Sequence, residues 1–97
     1  MITLTAILWA HEGQHDLLVE YENTVLALIP KYGGRVVERV RADDKTDGPY
    51  EVQTIELPDD EALAEYMIDP VRVALAETHA KAIRQTTIVR GGSTLNP

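Results

Sequence analysis

Residues 11–15, His11-Glu12-Gly13-Gln14-His15, satisfy the H-E-x-x-H spacing. On one face of a continuous helix that spacing lets two imidazoles grip zinc while the glutamate activates the metal-bound water. Here Gly13 interrupts the motif, and the flanking hydrophobic pattern changes from strand to helix across it. The two imidazoles need not point the same way, and no third ligand or supporting helix is visible downstream. No metal is expected.

His11 taken alone is a candidate general base, because an imidazole titrates near neutrality. The plainer reading is an exposed histidine in a loop. His79 is the second candidate base: it shares a helical face with Leu75 and Ala82 and is placed to reach a space between helix and sheet. A histidine so placed is also often just partly buried and satisfied by a backbone partner. Trp9, His11, Tyr21, Tyr66 and His79 make up the candidate ligand pocket, with Trp9 either stacking on a flat ligand or packing at an interface. Arg35, Arg39 and Arg41 are expected along one strand face, either as an anion receptor or as the charge guarding an edge strand. Gly33-Gly34 and Gly91-Gly92 lack the spacing of a phosphate loop. The single serine, Ser93, stands in no nucleophile elbow.

The elements that must position these residues follow from periodicity. Ile2, Leu4, Ala6 and Leu8 alternate with Thr3, Thr5, Ile7 and Trp9, the period of a strand. From Gln14 to Tyr32 the apolar residues Leu18, Tyr21, Val25, Leu28, Ile29 and Tyr32 recur at three- and four-residue steps, the stripe of a helix, with Glu20, Glu22, Asn23 and Lys31 expected largely off it. Pro30 should kink or end it, and Gly33-Gly34 should stop it. Strands are expected over Arg35–Ala42, Tyr50–Leu57 and Arg84–Arg90. Between the last two, Asp59-Asp60-Glu61 and Asp69-Pro70 are two successive helix starts, so the second helix should break near Ile68.

Strand, helix, strand, strand, helix, strand is the split βαβ order, with both helices on one face of a four-stranded antiparallel sheet. Its other face, with Ile7 and Trp9, carries apolar surface that a second copy would cover, giving an isologous homodimer. The domain is expected over residues 1–91, with a flexible tail at 92–97.

Composition narrows the partners. Sixteen acidic against nine basic residues leave a net charge of -7, which repels phosphate backbones and argues against nucleic acid. The chain has no cysteine, so disulfides and thiolate chemistry are excluded, in keeping with a cytoplasmic location. No run reaches the roughly 18 apolar residues of a membrane span.

Tyr21-Glu22, Tyr32-Gly33-Gly34-Arg35, Glu56-Leu57-Pro58, Tyr66 and Asp69-Pro70-Val71-Arg72 resemble the dimeric α/β-barrel superfamily. The likeness is to a small uncharacterised branch near the antibiotic-biosynthesis monooxygenase-like proteins, and it covers nearly the whole chain except the tail. Leu57 departs from the pattern, which usually has phenylalanine before that proline. The resemblance implies a ferredoxin-like α+β fold, βαββαβ, forming a dimeric α/β barrel. It also implies chemistry without metal or organic cofactor. The expected function is a small homodimer with a cleft for a small apolar or aromatic molecule. The alternative is a cofactor-independent monooxygenase- or isomerase-like enzyme using His11 or His79 as base.

Overall fold

The computed structural model describes residues 1–91, and the tail expected over 92–97 lies outside them, as does Ser93. The elements are β1 (Ile2–Ala10), α1 (His15–Leu26), a 3-10 turn (Ile29–Tyr32), β2 (Arg35–Arg41) and β3 (Glu51–Leu57). There follow α2 (Asp60–Met67), α3 (Pro70–Ala74), α4 (Ala76–Ala82) and β4 (Ile83–Arg90).

Proline chemistry sets the end of the first helix. Regular α-helix stops at Leu26, because Pro30 offers no N–H and its ring crowds the carbonyl one turn back. The chain continues as the tighter turn, and Gly33 leaves it with φ at 80°. There the Gly33 N–H bonds Pro30 O and the Gly34 N–H bonds Ile29 O, satisfying carbonyls at the helix end. Gly34 is needed for space instead. A Cβ on it would press on the Glu56 carbonyl oxygen and come within 2.8 Å of Leu57 Cδ2.

The second helical segment breaks where two caps occur in succession. Asp59 accepts from the Ala62 N–H at 2.9 Å and starts α2, and Asp69 accepts from the Val71 N–H at 2.8 Å and starts α3. A further interruption at Leu75, whose N–H is shared between Val71 O and Arg72 O, divides α3 from α4. Sequence periodicity gives no sign of it.

The sheet order is β2-β3-β1-β4, antiparallel throughout, and with the helices it forms the ferredoxin-like βαββαβ fold. Register decides which side chains meet the helices. Leu4, Ala6 and Leu8 of β1 stand beside Ile55, Gln53 and Glu51 of β3, and all six are buried. The opposite face carries Thr3, Thr5, Ile7 and Trp9, half-buried, with Val52 and Thr54. An extra residue at Val37 bulges β2 and shifts its register. A one-residue shift exchanges the two faces, so Arg35 pairs with Glu56 on the open side while Arg39 and Arg41 turn toward the helices. This corrects the expectation that the three arginines share one face.

The core has two lobes. One gathers Leu8, Leu18, Tyr21, Val25, Tyr50, Ala82 and Ile83, and the other Leu4, Leu26, Ile29, Ile55, Leu57, Ala62 and Tyr66. Gly34 packs on the second lobe, where close-packed neighbours have little room to move. Gly34→Ala should therefore cost about 1–3 kcal/mol in urea unfolding. A cost near zero would mean that the strand can step back from the turn.

Candidate functional site

A cleft of about 380 Å³ lies between the two lobes, lined from the sheet by Ala6, Leu8, Ile55 and Ile88 and from the helices by Leu26 and Met67. β1 supplies small Ala6 at its centre, and α1 and α4 hold the helix layer above it. The polar groups in the wall are few: Tyr21, Glu22, Gln53, Tyr66, Arg72, His79 and Thr86. A mostly apolar recess with a small set of convergent polar groups is the usual form of a small-molecule site.

One group of polar side chains runs from α1 to β3. The Gln53 amide donates to Glu22 Oε1 at 2.6 Å and to Glu51 Oε2 at 2.5 Å, and all three residues are buried. Glu51 is neutralised from the far side by Arg39 at 2.9 Å and Arg41 at 3.3 Å. Glu22 has no such partner. Burial pushes its carboxyl above the ordinary range, the Gln53 bond opposes that, and the Glu51 charge adds to it.

The second group lies on the broken helix. Arg72 Nη1 donates to the Tyr66 hydroxyl at 3.2 Å, and that hydroxyl donates to Val25 O at 3.1 Å. The Arg72 guanidinium also rests 4.7 Å from the centre of the Tyr66 ring, a cation–π distance. Burial raises the Tyr66 hydroxyl to about 12, so it stays protonated. His79 meets the Tyr21 ring edge-on at 5.3 Å. Burial, and then the Arg72 charge, lower the His79 pKa, which favours the neutral imidazole.

Of the five candidate pocket residues, the structure brings Tyr21, Tyr66 and His79 together in this cleft. Trp9 sits on the open sheet face, since it is odd-numbered on a strand whose even residues face the helices. His11 is exposed just past β1, held by its backbone N–H to Ala82 O. Its motif partner His15 is buried at the start of α1 with its ring 4.7 Å from that of Tyr50.

Sequence reasoning passed over Gln53 and Arg72 and set Glu22 off the helical stripe, which the structure corrects by burying it, although each carried a signal. Leu18, Tyr21, Glu22 and Val25 follow the i, i+3, i+4, i+7 spacing, so Glu22 lies on the buried stripe itself. Leu57, Ile55, Gln53 and Glu51 share one face by strand alternation. Arg72 is three residues before Leu75 and seven before His79, on the same helical side.

The order of the elements, the antiparallel pairing and the helices on one face define a ferredoxin-like α+β protein. No family model matches the chain, and no curated protein does either. Solved structures do. An uncharacterized NIPSNAP domain protein from Burkholderia xenovorans superimposes with a TM-score of 0.74 at 14% identity, covering 100% of this chain and 99% of that one. A dimeric protein of unknown function and ferredoxin-like fold from Bacteroides fragilis gives 0.71 at 12% identity, with 93% of each chain covered. An antibiotic biosynthesis monooxygenase gives 0.71 at 18% identity, covering 97% of this chain and 99% of its own. At these identities the likeness is one of fold.

Glu22 offers a direct check on the electrostatics of the cleft. A carboxyl whose folded pKa is raised stabilises the fold fully below its unfolded value and loses that contribution as pH rises through the folded one. Glu22→Gln keeps an oxygen for the Gln53 amide and removes the ionisation. Urea midpoints should show the variant overtaking the parent as pH rises from 4.5 to 8, with the difference closing toward pH 4. A difference independent of pH would show that Glu22 is not desolvated in the fold.

Proposed function

We propose that the protein is a homodimeric binding domain that holds a small apolar or aromatic molecule in the cleft between sheet and helices. Two copies meet through their open sheet faces to complete an α/β barrel. The ligand reading is carried by the cleft itself, about 380 Å³ between apolar lobes with a small set of polar groups in its wall. Ligand pockets typically begin at about 300 Å³. The dimer reading is supported by Ile7, Trp9, Val40, Val52 and Val89 on the open face, with Val40 and Val89 at least half exposed. The Bacteroides fragilis neighbour is described as dimeric. The proposed setting is the cytoplasm, in keeping with a chain that lacks cysteine. Among the described residues no helix is long and apolar enough to cross a membrane. A net charge of -7 argues against nucleic acid as the partner.

Both halves of the proposal are measurable. Sedimentation at micromolar concentration should give twice the chain mass, and Ile7→Lys, at the centre of the open face, should return the monomer. Trp9 emission should shift to longer wavelength as the dimer is diluted. Calorimetric titration with the neutral probe 4-phenylbutanamide should give saturable binding. A monomeric parent protein would end the barrel, and the absence of binding would end the cleft reading.

A second reading, a cofactor-independent monooxygenase- or isomerase-like enzyme, is favoured by His79. It lines the cleft, and its surroundings keep it neutral and hence able to take a proton. An antibiotic biosynthesis monooxygenase shares the fold. On this reading, oxygen uptake with a naphthalene-type quinol is lost in His79→Ala while binding of the neutral probe is kept. Uptake that survives the substitution would remove His79 from the chemistry.

A further inference from the structure

Arg72 differs from every other arginine among the described residues. Arg35, Arg39, Arg41 and Arg90 each pair with a carboxylate, and Arg84 donates to the carbonyl oxygens of Ala10 and Asp47. Arg72 reaches only the Tyr66 hydroxyl and ring. Its Nε is shut off from solvent and has no hydrogen-bond partner among the described residues. Arg39 also has a buried nitrogen without a partner, but its guanidinium already holds Glu51 at 2.9 Å. A guanidinium nitrogen withdrawn from water and left unpaired is costly, and such a group needs an explanation.

Its position supplies one. Arg72 belongs both to the cleft and to a second hollow bounded by Met67, Val73 and Ala76, and Tyr21 and His79 are likewise common to the two. It therefore stands where the apolar recess meets the surface. A single positive group there calls for a single negative one. Glu22, the carboxyl group in the same wall, forms no ion pair with Arg72 among the described residues, and the two interact only at longer range.

We propose that the cleft takes an apolar or aromatic monocarboxylic acid, with the carboxylate on the Arg72 guanidinium and the apolar body against Ala6, Leu8, Leu26 and Ile55. This rests on the reading of the cleft as a ligand site and adds the chemical class of the ligand. Arg72 Nη1 is given to Tyr66 and Nε is closed to solvent, so Nη2, which has no hydrogen bond among the described residues, is the nitrogen left to donate to a carboxylate oxygen. A phosphate dianion fits less well, because one guanidinium balances one charge and Arg72 is the only arginine or lysine among the residues lining the cleft.

The test is a matched pair of probes, 4-phenylbutyrate and 4-phenylbutanamide, titrated calorimetrically at pH 7. The acid should bind about ten- to a hundredfold tighter, as charged hydrogen bonds imply. Arg72→Met should abolish the acid's preference over the amide, and Arg72→Lys should keep part of it. Should Arg72→Met fail to fold, the Arg72 Nε resonance of the parent protein decides: it should move with the acid and stay with the amide. Equal binding of the two probes, or a preference that survives Arg72→Met, overturns the carboxylate assignment and spares the apolar cleft. Binding of neither overturns both.

Discussion

The Asp69 carboxylate organises the helix layer. Shut off from solvent, it accepts from the Lys31 ammonium at 2.9 Å, from the Tyr32 hydroxyl and from the Val71 N–H. Those bonds hold its pKa down at about 2, the Tyr32 bond foremost. A buried carboxylate is tolerable only where donors surround it, and here they come from two segments far apart in the chain. The break after α2 is thereby pinned against the turn that ends α1. A continuous helix from Asp60 to Ala82 would run about 35 Å. The nine residues of β1 extend only about 30 Å, so an unbroken helix would overshoot the sheet. The bends at Ile68 and Leu75 fold that length back, setting Arg72 on the Tyr66 ring and His79 against Tyr21.

Polar residues within the core account for the cleft in a second way. Ala6 is small, and its β3 neighbour Gln53 is an amide committed to two carboxylates, so the middle of the sheet offers the helices little apolar bulk. The lobes close around this strip instead of across it. The bulge at Val37 belongs to the same arrangement. Without the extra residue Arg39 and Arg41 would face the open side, and Glu51 would be left as an unpaired buried charge. A local irregularity in an edge strand thus answers an electrostatic demand one strand away.

How much of this could be read from the sequence depended on whether the determinant was local. Pro30, Gly33, Asp59 and Asp69-Pro70 act within a turn of where they stand, and the elements they delimit follow the sequence expectation within a residue or two. Strand alternation placed Ile7 and Trp9 on the face away from the helices. The bulge at Val37 escaped notice because nothing in Arg-Val-Val-Glu-Arg-Val-Arg distinguishes the extra residue, whose place is set by pairing with β3. The cleft was harder still. Trp9 entered the candidate pocket as a ring able to stack on a flat ligand, while Glu22, Gln53 and Arg72 are ordinary surface types, and only the helices laid over the sheet bring them inward. A charged residue at the spacing of a buried stripe is the sign that was there to use.

β1 separates two tasks by its pleat. Even-numbered residues, Leu4, Ala6 and Leu8, form the floor of the cleft, and odd-numbered ones, Thr3, Thr5, Ile7 and Trp9, form the opposite face. A substitution on one set leaves the chemistry of the other in place, so assembly and ligand binding can be altered independently through side chains. They are joined through the backbone, because a shift of β1 moves both sets at once. β1 is hydrogen-bonded to β3 and to β4, so like β3 it is less free to shift than the edge strands. Coupling between a partner copy and the cleft would have to pass through the edge strands: β4, which brings Ile88 to the cleft and Val89 to the open face, is the element able to carry it.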